Sequence, residues 1–184
     1  MTESQRSILP RSRQAVLSLG SNLGARDRWL DLAGRSLERS GARLVGLTPR
    51  WHTRPRGAPS QPDYLNQLLL MEAPLDGLGW LALAEAAERS AGRVRSVPKG
   101  PRTLDVDVIL VDGEVASGPR LTLPHPALFE RPHLLAGAAA LVPEWTLPGW
   151  QLSVFEIARD HLSGSWARPV PVRAAAGQPK PEWP

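Results

Sequence analysis

The chain has 184 residues, 42% of them apolar and 22% charged, an ordinary balance for one globular domain. It contains no cysteine, which excludes disulfides, thiolate metal sites and a cysteine nucleophile. No apolar run reaches the ~20 residues that span a bilayer, Met1–Gln14 lacks a signal-peptide core, and the net charge is +4; the expectation is a cytoplasmic protein. Of its basic residues only Lys99 and Lys180 are lysines. Arginine is the better fork for phosphate and carboxylate, although a GC-rich genome produces the same bias.

Ala15–Leu19 is a short apolar run closed by Gly20 and predicts a buried strand. Asp27–Ser40 carries apolar residues at Trp29, Leu30, Leu32, Ala33 and Leu37, a helical spacing, with Gly41 as its stop. Arg43–Trp51 alternates and predicts a second strand. Arg54–Pro62 is a Pro/Gly loop. Tyr64–Glu72 predicts a third strand and Leu75–Gly92 a second helix. Ser96–Pro101 is another Pro/Gly loop, Val106–Val111 a fourth strand, and Asp112-Gly113 a hairpin signal behind it. Strand, helix, strand, strand, helix, strand is the order of an α+β, ferredoxin-like βαββαβ fold, an antiparallel sheet with both helices on one face. Its open face calls for a cover or a ligand, and the two Pro-rich loops could enclose one. A C-terminal helical extension follows, with helices at Leu134–Leu141 and Ser153–His161. The expected organisation is a flexible segment over 1–13, a domain over 14–166, and a disordered Pro/Ala-rich tail over 167–184.

Gly100-Pro-Arg-Thr-Leu-Asp-Val-Asp107 is the sharpest segment. Asp105 and Asp107 are two apart on a strand, so they share a face, with Cα atoms about 6.5 to 7 Å apart. Two carboxylates at that spacing suit Mg²⁺, which fills its remaining positions with phosphate and water. Two solvent-facing aspartates on an amphipathic strand would read alike, but Asp is depleted in strands. Arg93, Arg95, Arg102, Arg120 and Arg131 supply cations; with the Asp pair they fit a polyphosphate, and without an anion they are a solvated basic loop. Tyr64 and Asn66, in Gln61-Pro-Asp-Tyr-Leu-Asn66, offer a ring and a donor–acceptor amide to a flat heterocycle, or simply a turn entering a strand. Gly20-Ser-Asn-Leu-Gly24 lacks the lysine of a phosphate loop and reads as a turn capping a helix. His125 stands in a Pro turn and could reach a phosphate or be structural.

Together Leu19–Leu23, Gln61–Asn66, Gly92–Arg95, Gly100–Asp107 and Arg120–His125 resemble, in order and spacing, the hydroxymethyldihydropterin pyrophosphokinases, over about Ala15 to Trp145. The resemblance implies transfer of diphosphate from ATP to 6-hydroxymethyl-7,8-dihydropterin, with release of AMP, in folate biosynthesis. It implies two Mg²⁺ ions on Asp105 and Asp107, and catalytic roles for Asp107, Arg93 and Arg102. Glu88, Arg93, Arg95, Arg102, Arg120, Thr122, His125 and Arg131 would bind ATP. Thr53, Arg54, Arg56, Tyr64, Asn66 and His133 would bind the pterin. Small-molecule substrates, no nucleic acid, no membrane and a monomer are expected. The chain departs from the family at His133, where an aromatic often stands, and in the loop before Gly100, where Pro98 and Lys99 replace a Trp-bearing stretch. These departures bear on pterin affinity and loop closure, and they keep open a catalytically weak member that binds pterin, nucleotide or a partner. A nucleic-acid-binding module would need aromatics on the central strands; the chain has one Tyr and two Phe, and its seven Trp form no such run.

Overall fold

The structure, a computed structural model, describes residues 12–55, 60–93, 100–147 and 151–162. The expected tail over 167–184, the N-terminal segment up to residue 11, and much of both Pro-rich loops lie outside the described residues. Strand β1 (Arg13–Ser21) leads into helix α1 (Arg26–Arg39), then β2 (Arg43–Leu47), β3 (Trp51–Thr53), β4 (Tyr64–Ala73), α2 (Gly77–Ser90) and β5 (Asp105–Val111). Short strands β6 (Ala116–Ser117) and β7 (Thr122–Leu123) follow, then α3 (Ala127–Glu130), α4 (Pro132–Leu141) and α5 (Val154–Leu162). The main sheet is antiparallel in the order β2-β4-β1-β5, with β3 also on β4. No helix among the described residues is long and apolar enough to cross a membrane.

The strand predicted over Arg43–Trp51 is two strands. Pro49 has no N–H to give the ladder. At this break Thr48 takes over: its N–H donates to the Leu68 carbonyl at 3.0 Å, and its hydroxyl accepts the Leu68 N–H at 2.9 Å. Arg50 then ties the segment to α1 through Asp27, at 2.6 Å, and Asp31. Asp112-Gly113 does form a turn, with Gly113 at φ 64° and the Glu114 N–H on the Val111 carbonyl at 3.0 Å. The chain beyond it pairs as β6 with β7, in a separate two-stranded sheet, and not back onto β5.

Side chains alternate across the sheet, and both faces are covered. On one face Leu17, Leu19, Leu69, Met71, Val106 and Val108 pack against Leu30, Ala33 and Leu37 of α1 and Trp80, Ala84 and Ala87 of α2. The α1 residues recur at i, i+3 and i+7, the stripe one helix face presents, and each fully buried Leu contributes about 1.5–3 kcal/mol. Asp76 starts α2 by accepting the Gly79 N–H at 2.8 Å, an N-cap worth about 1 kcal/mol. On the other face Val16, Leu68, Leu70 and Ile109 lie under Leu134, Leu135 and Ala138 of α4 and Val154 and Ile157 of α5. The close approach is made at Gly137, where a Cβ would come within 2.9 Å of Leu68 Cδ2.

This second face changes character along its length. Going along β1, Val16 gives way to Ser18 and Gly20; along β4, Leu70 and Leu68 give way to Asn66 and Tyr64; along β5, Ile109 gives way to Asp107 and Asp105. The apolar end carries the three C-terminal helices, and the polar end is left open as a cavity.

Candidate active site

The register sets the floor of the cavity. Ser18 stands opposite Asp107 on one side and Leu68 on the other; Gly20 stands between Asp105 and Asn66. A Cβ at Gly20 would lie 3.3 Å from Asn66 Oδ1 and 3.7 Å from the Tyr64 ring, so glycine keeps the middle of this row clear. The cavity has a volume of about 620 Å³, in the range of small-molecule sites. Thr53, Arg54, Gln61, Tyr64, Arg131, Pro132 and His133 contribute to its lining.

Asp105 is doubly held. Arg93 Nη1 donates to its Oδ1 at 2.6 Å and Arg102 Nη1 to its Oδ2 at 2.7 Å. Behind them Glu88, with a side chain 7% exposed, accepts from Arg93 and from the Val106 N–H, the latter at 2.9 Å. A buried carboxylate is tolerated only with such partners. Glu88 thereby fixes both Arg93 and the residue between the two aspartates, and it lies outside the cavity lining.

Asp107 differs. It makes no hydrogen bond or ion pair among the described residues, and burial, reinforced by the Asp105 charge, pushes its carboxyl up to about 7. A half-buried carboxylate without a partner, beside a second carboxylate and open to a cavity, is a donor set that fits a hard divalent cation such as Mg²⁺. Among the described residues no group of three or more His, Cys, Asp or Glu is placed to hold a metal by itself.

The Asn66, Tyr64 and His133 part of the lining is equally specific. Asn66, 7% exposed, donates through Nδ2 to Thr53 Oγ1 at 2.9 Å, leaving Oδ1 toward the Gly20 row as an acceptor. Burial raises the Tyr64 hydroxyl above its ordinary value, so it is neutral near pH 7. His133 meets Trp51 edge-on, with ring centroids 6.0 Å apart. Burial, with Arg131 beside it, lowers its imidazole to about 4, so the wall it forms at neutral pH is an uncharged ring. Because the folded protein binds this proton less readily than the unfolded chain, the contribution of His133 to stability falls as pH drops from about 6.5 to 4. We expect His133→Phe to remove that component, on the order of 1–2 kcal/mol, and denaturation at pH 7 and pH 4.5 measures it. Equal losses in variant and wild type over that range would refute it.

The residues expected to hold ATP are less gathered. Arg102, Asp105, Asp107 and Arg131 line the cavity. Arg120 is exposed and pairs with Glu85 at 3.7 Å. Thr122 is exposed on β7. His125 accepts the Ala127 N–H on Nδ1 at 3.1 Å, and burial lowers its imidazole. Arg56 and Arg95 lie outside the described residues. Ser18, Gln61 and Glu130 line the cavity and were not singled out from sequence, although a serine interrupting an apolar strand two residues before Gly20 was a usable signal. The Gly20–Gly24 turn does not cap α1: its N-cap position is Ala25, with no side-chain cap. Asn22 spends its side chain elsewhere, as described below.

Residues 16–143 match the family described as 7,8-dihydro-6-hydroxymethylpterin-pyrophosphokinase. The 2-amino-4-hydroxy-6-hydroxymethyldihydropteridine pyrophosphokinase of Pseudomonas aeruginosa is 34% identical over 137 residues, 74% of this chain and 85% of that protein. The enzyme of the same name from Bacillus subtilis is 34% identical over 69% of this chain and 77% of its own length. The folic acid synthesis protein fol1 of Schizosaccharomyces pombe is 31% identical over 75% of this chain, which spans only 19% of that protein. A Plasmodium falciparum HPPK-DHPS crystal structure shares the fold, with a TM-score of 0.63 at 11% identity, over 85% of this chain and 47% of that one.

Proposed function

The chain belongs to the 7,8-dihydro-6-hydroxymethylpterin-pyrophosphokinase family, and we propose that it transfers diphosphate from ATP to the hydroxymethyl oxygen of 6-hydroxymethyl-7,8-dihydropterin, releasing AMP. The observation that carries this reading is one cavity holding both chemistries: Asp105 and Asp107 with Arg102 at its floor, and Tyr64, Asn66 and Thr53 beside them. Carboxylates and guanidinium suit a polyphosphate with its cation. A neutral ring and a donor–acceptor amide suit a flat heterocycle.

In the reaction the hydroxymethyl oxygen attacks the β-phosphorus. The bond from that phosphorus to the oxygen bridging it to the α-phosphorus breaks, and the electron pair leaves with AMP. Asp105 and Asp107 would hold two Mg²⁺ ions, which when bound neutralise charge on the phosphate oxygens. Asp107 also assists removal of the hydroxymethyl proton. Arg93 and Arg102, released from Asp105, stabilise the phosphoryl groups in transfer. Arg95, Arg120, Thr122, His125 and Arg131 hold ATP, with Glu88 near it as the anchor of Arg93. Tyr64 and His133 flank the pterin, and Asn66, Thr53 and the 54–56 backbone read its edge. The sheet order β2-β4-β1-β5 supports a ferredoxin-like βαββαβ core with a C-terminal helical extension; a monomer in the cytoplasm with small-molecule substrates completes the proposal.

The test is to mix the protein with ATP, Mg²⁺ and the dihydropterin and to separate AMP from ADP. AMP formed only with pterin and Mg²⁺ both present is expected. ADP would mean an ordinary kinase. No nucleotide product from folded protein would favour a binding role and turn attention to His133.

A further inference from the structure

Asn22, directly after β1, is 2% exposed and carries four hydrogen bonds. Its N–H donates to the Arg102 carbonyl at 3.1 Å, and its Oδ1 accepts the Arg102 N–H at 2.8 Å. Its Nδ2 donates to Gln61 Oε1 at 3.1 Å and to the Pro62 carbonyl at 3.3 Å. The partners fix the amide's orientation: the Arg102 N–H can only donate and the Pro62 carbonyl can only accept. One buried side chain thus joins a segment 40 residues away to another 80 residues away.

The two segments bring residues of different chemistry to one cavity. Arg102, with both backbone groups locked to Asn22, sends its guanidinium to Asp105 on the phosphate side. Gln61 and Pro62 lead into Tyr64 on the heterocycle side, and Arg26 reinforces them by donating to the Asp63 carbonyl at 2.7 Å. Gln61, Tyr64 and Arg102 all line the cavity. Buried amide bonds are expensive to leave unmade, so a shift of the Arg102 backbone must carry Asn22 with it, and Gln61–Pro62 with Asn22.

On the functional reading above, we infer that Asn22 is a positioning residue that couples the two substrates: nucleotide engagement of Arg102 is transmitted through the Asn22 amide to Gln61–Pro62 and Tyr64. The Gly20–Gly24 turn is then neither a phosphate loop nor a helix cap but the hinge pin between the two half-sites.

The readout is the affinity for 6-hydroxymethylpterin, measured by fluorescence, without and with α,β-methylene-ATP and Mg²⁺. The ratio of the two dissociation constants is the coupling. Asn22→Ala is expected to reduce the wild-type ratio by about tenfold. Gln61→Ala keeps the Pro62 bond and is expected to reduce it by about threefold. The double variant should do no more than Asn22→Ala alone, because both act through one bridge. A merely structural Asn22 would weaken pterin binding equally in both conditions and leave the ratio unmoved, which overturns the inference. So does a wild-type ratio of one. If Asn22→Ala does not fold, Gln61→Ala decides alone. A wild type that makes AMP but shows unaltered coupling in folded variants refutes only the role of Asn22; a wild type that binds neither ligand refutes the functional reading and this inference with it.

Discussion

Replacing Asp107 with Asn is expected to lower kcat by about 10³-fold and, in the same protein, to raise the stability of the ligand-free fold at pH 8. Both effects have one origin. Burial and the neighbouring Asp105 lift the Asp107 carboxyl from 3.8 to about 7. Between those values the folded protein binds a proton that the unfolded chain has released, so its stability falls as pH rises through that window. Above pH 7 the full penalty is present. That penalty is about 4 kcal/mol at most, and because the Asp105 and Asp107 charges adjust to one another, on the order of 2 kcal/mol is the expected gain. Asn has no charge to bury and no charge to offer a cation. Denaturant unfolding at pH 4 and pH 8 should show a variant-minus-wild-type difference near zero at the lower pH and largest at the higher. Wild-type turnover in the variant, or a pH-independent difference, would contradict the assignment of Asp107 as an unpartnered carboxylate serving a cation. His133 titrates in the opposite sense, so the comparison between variants, not the wild-type profile, isolates each group.

Arg102→Ala should lower kcat by about 10³-fold with little change in the melting temperature. The Arg102 side chain is 24% exposed, so its removal leaves no large void. It does leave Asp105 with Arg93 alone and removes a fork from the place where phosphate charge develops. Arg102→Lys restores the charge without the fork and should recover only part of the loss. Single-turnover AMP release with saturating ATP and pterin measures this. Turnover within threefold of wild type would remove Arg102 from the chemistry.

Much of this was readable along the chain because it depends on local periodicity. A strand pleat repeats every two residues, so Asp105 and Asp107 had to share a face wherever β5 lay. The 3.6-residue period placed Leu30, Ala33 and Leu37 on one stripe before any partner was known. Gly41, at φ 92°, stops α1 because a left-handed residue is needed there. What periodicity misses is local chemistry that breaks it: Pro49 divided what looked like one strand, with the Thr48 hydroxyl substituting for a backbone partner.

The amino-acid order by itself determined most of the main elements, though not the split of Arg43–Trp51 or the short β6, β7 and α3, together with the shared face of the acidic pair and the residue types fit for phosphate and heterocycle, since each follows from bonds within a few residues. Only the tertiary structure decided which of them meet. It set Glu88 behind Arg93, left Arg120 and Thr122 outside the cavity, covered the apolar half of the second sheet face with α3 to α5, and made Asn22 the junction of segments 40 and 80 residues apart. It also set the protonation of Asp107 and His133, because burial depends on packing, and separation along the chain does not encode distance in space.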